Sequence, residues 1–416
     1  MEKLIIHNIG LLSTPTGSKL RTGKLMNDIM NLSNAYIVID KGKFFEIGVG
    51  EGYKSHQGKV INAKGALITP GFIDSHNHLV FAGNREQEFM RRIKGEEYLD
   101  ILKSGGGILE TVERTRNASF SSLYDKASKT LDKMLLLGIT SLEGKSGYGL
   151  DVDTELKQLQ VIKELNKNHH QEIIATYLGA HAYPNEYKEN HRKYLNIILK
   201  TLERIKVEKL AQFCDVFCEE GVFSYDESKE ILMFAKALGF KTRIHADEIA
   251  PLGGGRLAAQ VGCSFADHLL STSDEDFTAM AQAGVILVIL PLTSFILNKD
   301  FARARNMIDR NAALAIGTDY NPGSCPSYNI LLAMQTAVIK AKLTPAEVLT
   351  AVTINPAVGL GLGCMKGTIE EGKDADFIIF NAPNLDYFFY RYGENLVSDV
   401  YIKGKKLVSN GELYEV

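Results

Sequence analysis

The chain has 416 residues, 45% hydrophobic and 23% charged, enough to bury one large core or two ordinary ones. A formal net charge of -3 gives no broad positive field, which argues against nucleic acid or a membrane surface as the main partner and leaves a small-molecule substrate. No apolar run of about 18 residues occurs and no basic-then-apolar leader opens the sequence, while five scattered cysteines without a CxxC pair suit neither a disulfide framework nor a structural zinc site, so reduced thiols and a cytoplasmic setting are expected.

In chain order, residues 35–48 (AYIVIDKGKFFEIG) place two β-rich runs around a Lys-Gly turn, a hairpin signal. From about 67 to 360, short apolar runs alternate with helical stretches, as parallel strands with crossover helices require. Strands are expected at Leu67 to Asp74, Ile139 to Glu143, Ile173 to Ala180, Asp215 to Cys218, Lys241 to His245, Ser264 to His268, Val285 to Leu290 and Ala313 to Thr318. The spacing predicts helices at 153–166 and 225–238, the second stopped by Gly239. In the tail, DADFIIF (374–380) and VYIKGKKLV (400–408) read as short strands, the second broken by Gly404.

Eight strand-helix units favour an α/β fold of the (β/α)8 TIM-like type over an open doubly wound sheet, whose first strand would run into a Gly-rich phosphate loop. The expected organisation is a barrel over 67–360 and a small β-sandwich accessory domain composed of residues 1–66 plus 361–416.

Here the first strand ends in His76-Asn77-His78. Side chains two apart on a strand share a face, so both imidazoles can grip one metal ion. His181, His245, His268 and Asp319 end later strands, and barrel strands bring their C-terminal ends to one mouth. His76, His78, His245 and Asp319 make a mixed nitrogen and oxygen shell suited to one zinc or iron ion, on which water ionises near neutral pH. Glu248, three residues after His245, is placed to hold substrate or move a proton; His268 is placed to orient the nucleophile or stabilise an oxyanion. The other five histidines, His7, His56, His169, His170 and His191, read as ordinary surface groups.

With these motifs in place, the chain resembles the amidohydrolase superfamily and, within it, the imidazolonepropionase family of histidine degradation. The resemblance covers nearly the whole chain and rests on DSHNHLVFAGNREQEF (74–89), SGGGILETVERTR (104–116), EGKSGYGLD (143–151), YLGAHAYPNEY (177–187), DVFCEEGVFS (215–224), HADE (245–248), ADHL (266–269) and GTDYNPGSCP (317–326). It implies hydrolysis of the cyclic amide of 4-imidazolone-5-propanoate to N-formimidoyl-L-glutamate. It also implies one zinc or iron ion per subunit on His76, His78, His245 and Asp319, with Glu248, His268 and Asp319 catalytic, and a homodimer. Arg85, Tyr148, His181, Glu248, Asn321, Gly323 and Ser324 would surround the substrate, and a guanidinium such as Arg85 suits its carboxylate.

Many two-metal relatives carry a carboxylated lysine after the fourth strand, where this chain has Cys218-Glu219-Glu220, so one metal is favoured. Gly105 to Gly107, Gly147 and Gly149 permit tight or mobile loops over the pocket. Two other readings stay open. A purine or pyrimidine aminohydrolase would use the same histidines and aspartate but has no need of a carboxylate clamp, and a metal-bearing scaffold without catalysis would keep the metal and lose turnover.

Overall fold

The computed structural model describes residues 2–96 and 106–414. Five strands lie before the barrel: β1 (Leu4–Thr14), β2 (Met30–Asp40), β3 (Lys43–Val49), β4 (Lys59–Asn62) and β5 (Leu67–Pro70). Eight parallel strands then follow: β6 (Phe72–Asp74), β7 (Ile139–Lys145), β8 (Glu172–Ala180), β9 (Phe213–Cys218), β10 (Lys241–Ala246), β11 (Phe265–His268), β12 (Ile286–Ile289) and β13 (Ala313–Ile316). The tail adds β14 (Phe377–Phe380), β15 (Val397–Ile402), β16 (Lys405–Ser409) and β17 (Glu412–Leu413).

The two termini share one nine-stranded sheet, because β14 pairs antiparallel with β5, and β5 pairs parallel with β1. Strands from both ends of the chain contribute to one buried core that includes Ile37, Phe44, Ile68, Phe377 and Tyr401, with the Phe44 and Phe377 rings 6.1 Å apart. The Lys-Gly turn of the hairpin is present: Lys41 (φ 51°) and Gly42 (φ 78°) are both left-handed, as a two-residue turn between twisted strands demands.

The run from Leu67 to Asp74, expected as one strand, divides at Gly71. Leu67–Pro70 belongs to the accessory sheet and Phe72–Asp74 to the barrel. A side chain at Gly71 would lie 2.3 Å from the Thr140 hydroxyl oxygen, so only glycine fits this corner. The predicted helices run over Val152–Asn168 and Tyr225–Ala237; the second opens with a capping box between Ser224 and Glu227.

The barrel closes between β6 and the residues after β13. Asp319 N donates to His76 O at 2.9 Å and His78 N to Tyr320 O at 3.0 Å. The buried Asp74 carboxylate adds bonds from Thr318 N (2.9 Å) and the Thr318 hydroxyl (2.6 Å). Phe213, Phe265, Ile286 and Ala313 fill the lower interior, packed against Ala357 and Leu360 of the helix Ile354–Leu360.

Candidate metal and active site

The period of two along each strand builds the site in layers. On β9, Phe213 lies in the apolar floor, Asp215 above it and Phe217 at the pocket; on β10, Arg243 and His245 occupy the upper two levels. The middle layer is a buried ionic network of Glu143, Lys145, Asp215, Arg243 and Asp267, all fully buried. Lys145 Nζ is 2.7 Å from both Glu143 and Asp215, and Arg243 reaches Asp267 at 2.7 Å and Glu143 at 2.9 Å. Every charge has an opposite partner, which buried ions require.

Above it the histidines converge. The His76 ring is 4.6 Å from that of His245, 5.3 Å from His78 and 5.5 Å from His268, while His181 stacks on His78 at 5.0 Å. Asp319 Oδ1 lies 3.4 Å from His76 Nε2 and 3.5 Å from His78 Nε2, and Asp319 Oδ2 accepts from Thr293 at 2.7 Å. Asp267 and His268 are consecutive, yet both reach His76. His268 has φ 73° and Asp319 φ 53°, left-handed backbone that turns both side chains toward the mouth.

Two carboxylates back the imidazoles: Asp267 stands 3.2 Å from His76 Nδ1, and Asp215 3.1 Å from His245 Nδ1. His76 Nε2 and both ring nitrogens of His245 are buried without a well-directed hydrogen bond, a state that costs about 1–3 kcal/mol per group unless something else is bound. Burial, followed by the nearby charges of Lys145, His245 and Arg243, holds His76 well below its usual pKa. Burial and His181 do the same for His78, and burial brings His181 down to about 3. A neutral ring with a free lone pair and a carboxylate behind it, as at His76, is what a metal ion needs. Donor atoms of His76, His78 and Asp319 lie within 4.8 Å of one another, as do those of His76, His245 and His268 and those of His78, His181 and His245. The residues fit a metal cofactor.

A cavity of about 630 Å³ opens over this cluster. Arg85, Tyr148, His181, Glu248, Asn321, Gly323 and Ser324 all line it, together with His78, His245, His268 and Asp319, while His76 lies fully buried beneath. Burial, then repulsion from Asp319 and Glu219, raises the Glu248 carboxyl to about 8, and burial raises Asp319 to about 6. His181 shares its Nδ1 with Gly147 O at 2.9 Å. The Asn321 side chain is engaged within its loop: Oδ1 accepts from Gly323 N and Ser324 N at 2.8 Å, and Nδ2 donates to Asp319 O at 2.7 Å.

Of the tight and mobile alternatives, the loop around Gly147 and Gly149 is the tight one, since the Glu155 carboxylate accepts from the amides of Gly147, Gly149 and Leu150 at 2.8–3.0 Å. Of the other glycine run, Gly105 lies outside the described residues. At the Cys218-Glu219-Glu220 position, Glu219 accepts from the Ile249 and Ala250 amides at 2.9 and 3.0 Å, and burial raises Cys218 to about 11, so it stays a thiol. His170 and His191 are exposed, but His7, His56 and His169 are half-buried, with His56 on Glu46 (2.9 Å) and His169 on Ser128 (2.9 Å).

Sequence reading missed Asp215, Asp267, Arg243, Lys145 and Glu88. For the first four the signal was there, as charged residues inside otherwise apolar strands such as FCDVFC. Glu88 gave none, because polar positions on a surface helix are ordinary.

The amidohydrolase family matches residues 67–407. Imidazolonepropionases are similar over nearly the full length: that of Fusobacterium nucleatum subsp. nucleatum is 46% identical over 406 residues, covering 97% of this chain and 98% of the relative. The Clostridium tetani protein of that name is 46% identical over 95% of this chain and 96% of its own. In three dimensions an adenosine deaminase from Xanthomonas campestris with bound zinc superposes with a TM-score of 0.73 at 19% identity, covering 99% of this chain and 94% of that one. At that identity the likeness concerns the fold.

Proposed function

The chain belongs to the amidohydrolase family and, within it, to the imidazolonepropionases, and from that membership we propose how its residues open the ring of 4-imidazolone-5-propanoate to give N-formimidoyl-L-glutamate. The observation that carries the reading is the meeting, at one cavity, of a histidine and aspartate cluster with Arg85, Tyr148 and Glu248.

The reaction joins a water oxygen to the ring carbonyl carbon and breaks the carbon–nitrogen bond, whose electron pair and a proton pass to nitrogen. One zinc or iron ion, held by His76, His78, His245 and Asp319, would polarise the water and the carbonyl. Asp319, with Oδ2 engaged by Thr293, keeps Oδ1 toward His76 and His78, where it takes the proton from water. His268, with Nδ1 3.5 Å from Glu248 Oε1, directs its other edge at the carbonyl oxygen. Glu248, protonated at neutral pH because burial raises it to about 8, delivers the proton to the departing nitrogen. Arg85 and the Tyr148 hydroxyl receive the propanoate carboxylate. Four of the five thiols are buried and none is paired, which suits a reducing cytoplasm.

Metal-replete protein should consume 4-imidazolone-5-propanoate in an absorbance assay and release no ammonia from purines or pyrimidines. The opposite pattern would establish the aminohydrolase alternative, and metal content with neither activity would indicate a non-catalytic scaffold.

A further inference from the structure

We propose that Gln158 is a positioning residue for the carboxylate end of the substrate, its buried amide joining the turn that carries Tyr148 to the segment that leads into Arg85. This builds on the reading above, in which Tyr148 and Arg85 receive the propanoate carboxylate.

Tyr148 sits in the turn 147–150, whose backbone is left-handed at both ends, at Gly147 (φ 108°) and Leu150 (φ 52°). Leucine keeps that conformation only where its surroundings fix it. One helix supplies the fixing. Glu155 and Gln158 lie three apart on the helix Val152–Asn168 and so face the same way. Glu155 takes the amides of Gly147, Gly149 and Leu150, and Gln158 Oε1 takes the remaining one, from Tyr148, at 3.2 Å. The carbonyl side of the turn is held as well, since Gly147 O lies 2.9 Å from His181 Nδ1 and Gly149 O accepts from Arg116 Nε at 2.7 Å.

The other half of the Gln158 amide reaches a distant part of the chain: Nε2 donates to Val80 O at 2.6 Å. Chemistry forces this orientation, because a backbone N–H meets only the amide oxygen and a carbonyl only the amide nitrogen. Val80 opens the segment that ends in Arg85 five residues on. Along it the Ala82 amide donates to the Thr115 hydroxyl at 3.1 Å, and Gly83 O accepts from Lys126 at 2.7 Å. At its end Arg85 gives Nε and Nη2 to the Glu88 carboxylate at 2.8 and 2.6 Å, a fork that fixes the guanidinium plane. One rigid, fully buried amide therefore sets the Tyr148 turn and the Arg85 segment against each other, where neither bond can be replaced by water.

The test measures binding of imidazole-4-propanoate and of 4-propylimidazole, its uncharged counterpart, to the metal-replete protein by calorimetry, and takes the ratio of their affinities. Gln158→Met keeps the length of the side chain and removes both bonds. It should lower the preference for the charged compound by about fivefold or more, change 4-propylimidazole little, and raise KM for 4-imidazolone-5-propanoate more than it lowers kcat. Gln158→Glu, whose buried carboxyl keeps an acceptor for Tyr148 N and, when protonated, a donor for Val80 O, should restore part of the ratio. Gln158→Asn, one methylene too short to span both partners, should show the same fall and serves if Gln158→Met does not fold. Gln171→Met removes another buried glutamine, which donates to Leu131 O and Ile139 O at 2.9 and 3.3 Å at the start of β7, and should leave the ratio at the parent value. In an Arg85→Gln/Tyr148→Phe background Gln158→Met should lower the ratio no further, because its effect passes through those two residues. An undiminished ratio in the Gln158 variants, an equal fall with Gln171→Met, or an equal further fall in the doubly substituted background would overturn the role of Gln158. A parent without turnover, or an Arg85→Gln/Tyr148→Phe protein that keeps the full preference for the charged compound, would instead overturn the reading on which that role is built.

Discussion

Asp267 stands 3.2 Å from Nδ1 of His76 and simultaneously pairs with Arg243 at 2.7 Å, so one carboxylate ties an imidazole of the site to the ionic layer beneath it. The contact turns Nε2 of His76 toward Asp319 and the other histidines. Asp267→Asn should keep the shape and lose the charge, lowering metal affinity by about 10- to 100-fold. Chelator competition followed by elemental analysis measures it, and wild-type retention would show that Asp267 does not orient the ring.

Glu248 gives the pH dependence a sign. Its carboxyl, raised to about 8, is protonated below that pH and is lost as a proton donor above it, so kcat/KM should fall on the alkaline side as pH rises through about 8. Between its ordinary value of 4.5 and about 8, the folded protein keeps a proton that the unfolded chain has released, so this group makes stability fall with rising pH across that window. Glu248→Gln should cost about 10²- to 10⁴-fold in turnover and flatten the alkaline limb of the pH–rate profile.

Gly323→Ala places a methyl group 2.2 Å from Arg85 Nη1. The guanidinium must swing away, and KM for a carboxylate-bearing substrate should rise by about tenfold while kcat changes little. Steady-state kinetics decide it; an unchanged KM would detach Arg85 from substrate binding.

Lys145→Met strips the cation from between Glu143 and Asp215, both fully buried. Breaking a buried pair on one side leaves an uncompensated charge, and a loss of about 3–5 kcal/mol is expected. Thermal and denaturant unfolding of the metal-loaded protein measure it.

The histidine pair after the first barrel strand, the later strand-end histidines and Asp319 were legible in the chain because each is a local signal: a polar, metal-binding residue closing an apolar run. The alternation of strands with helices carried the barrel in the same way, and the hairpin at Lys41-Gly42 announced itself through turn chemistry. Linear order could not show that Leu67–Pro70 leaves the barrel to pair with Phe377–Phe380, since that pairing joins segments about 300 residues apart. Nor could it show that Asp215, Arg243 and Asp267 interlock beneath His76 and His245, or that Arg85 presses against Gly323. Strand periodicity and residue chemistry are properties of a few neighbours and are written in the sequence; charge pairing, burial and the direction in which a guanidinium points depend on what the folded barrel brings alongside, and only closure of the sheet decides them.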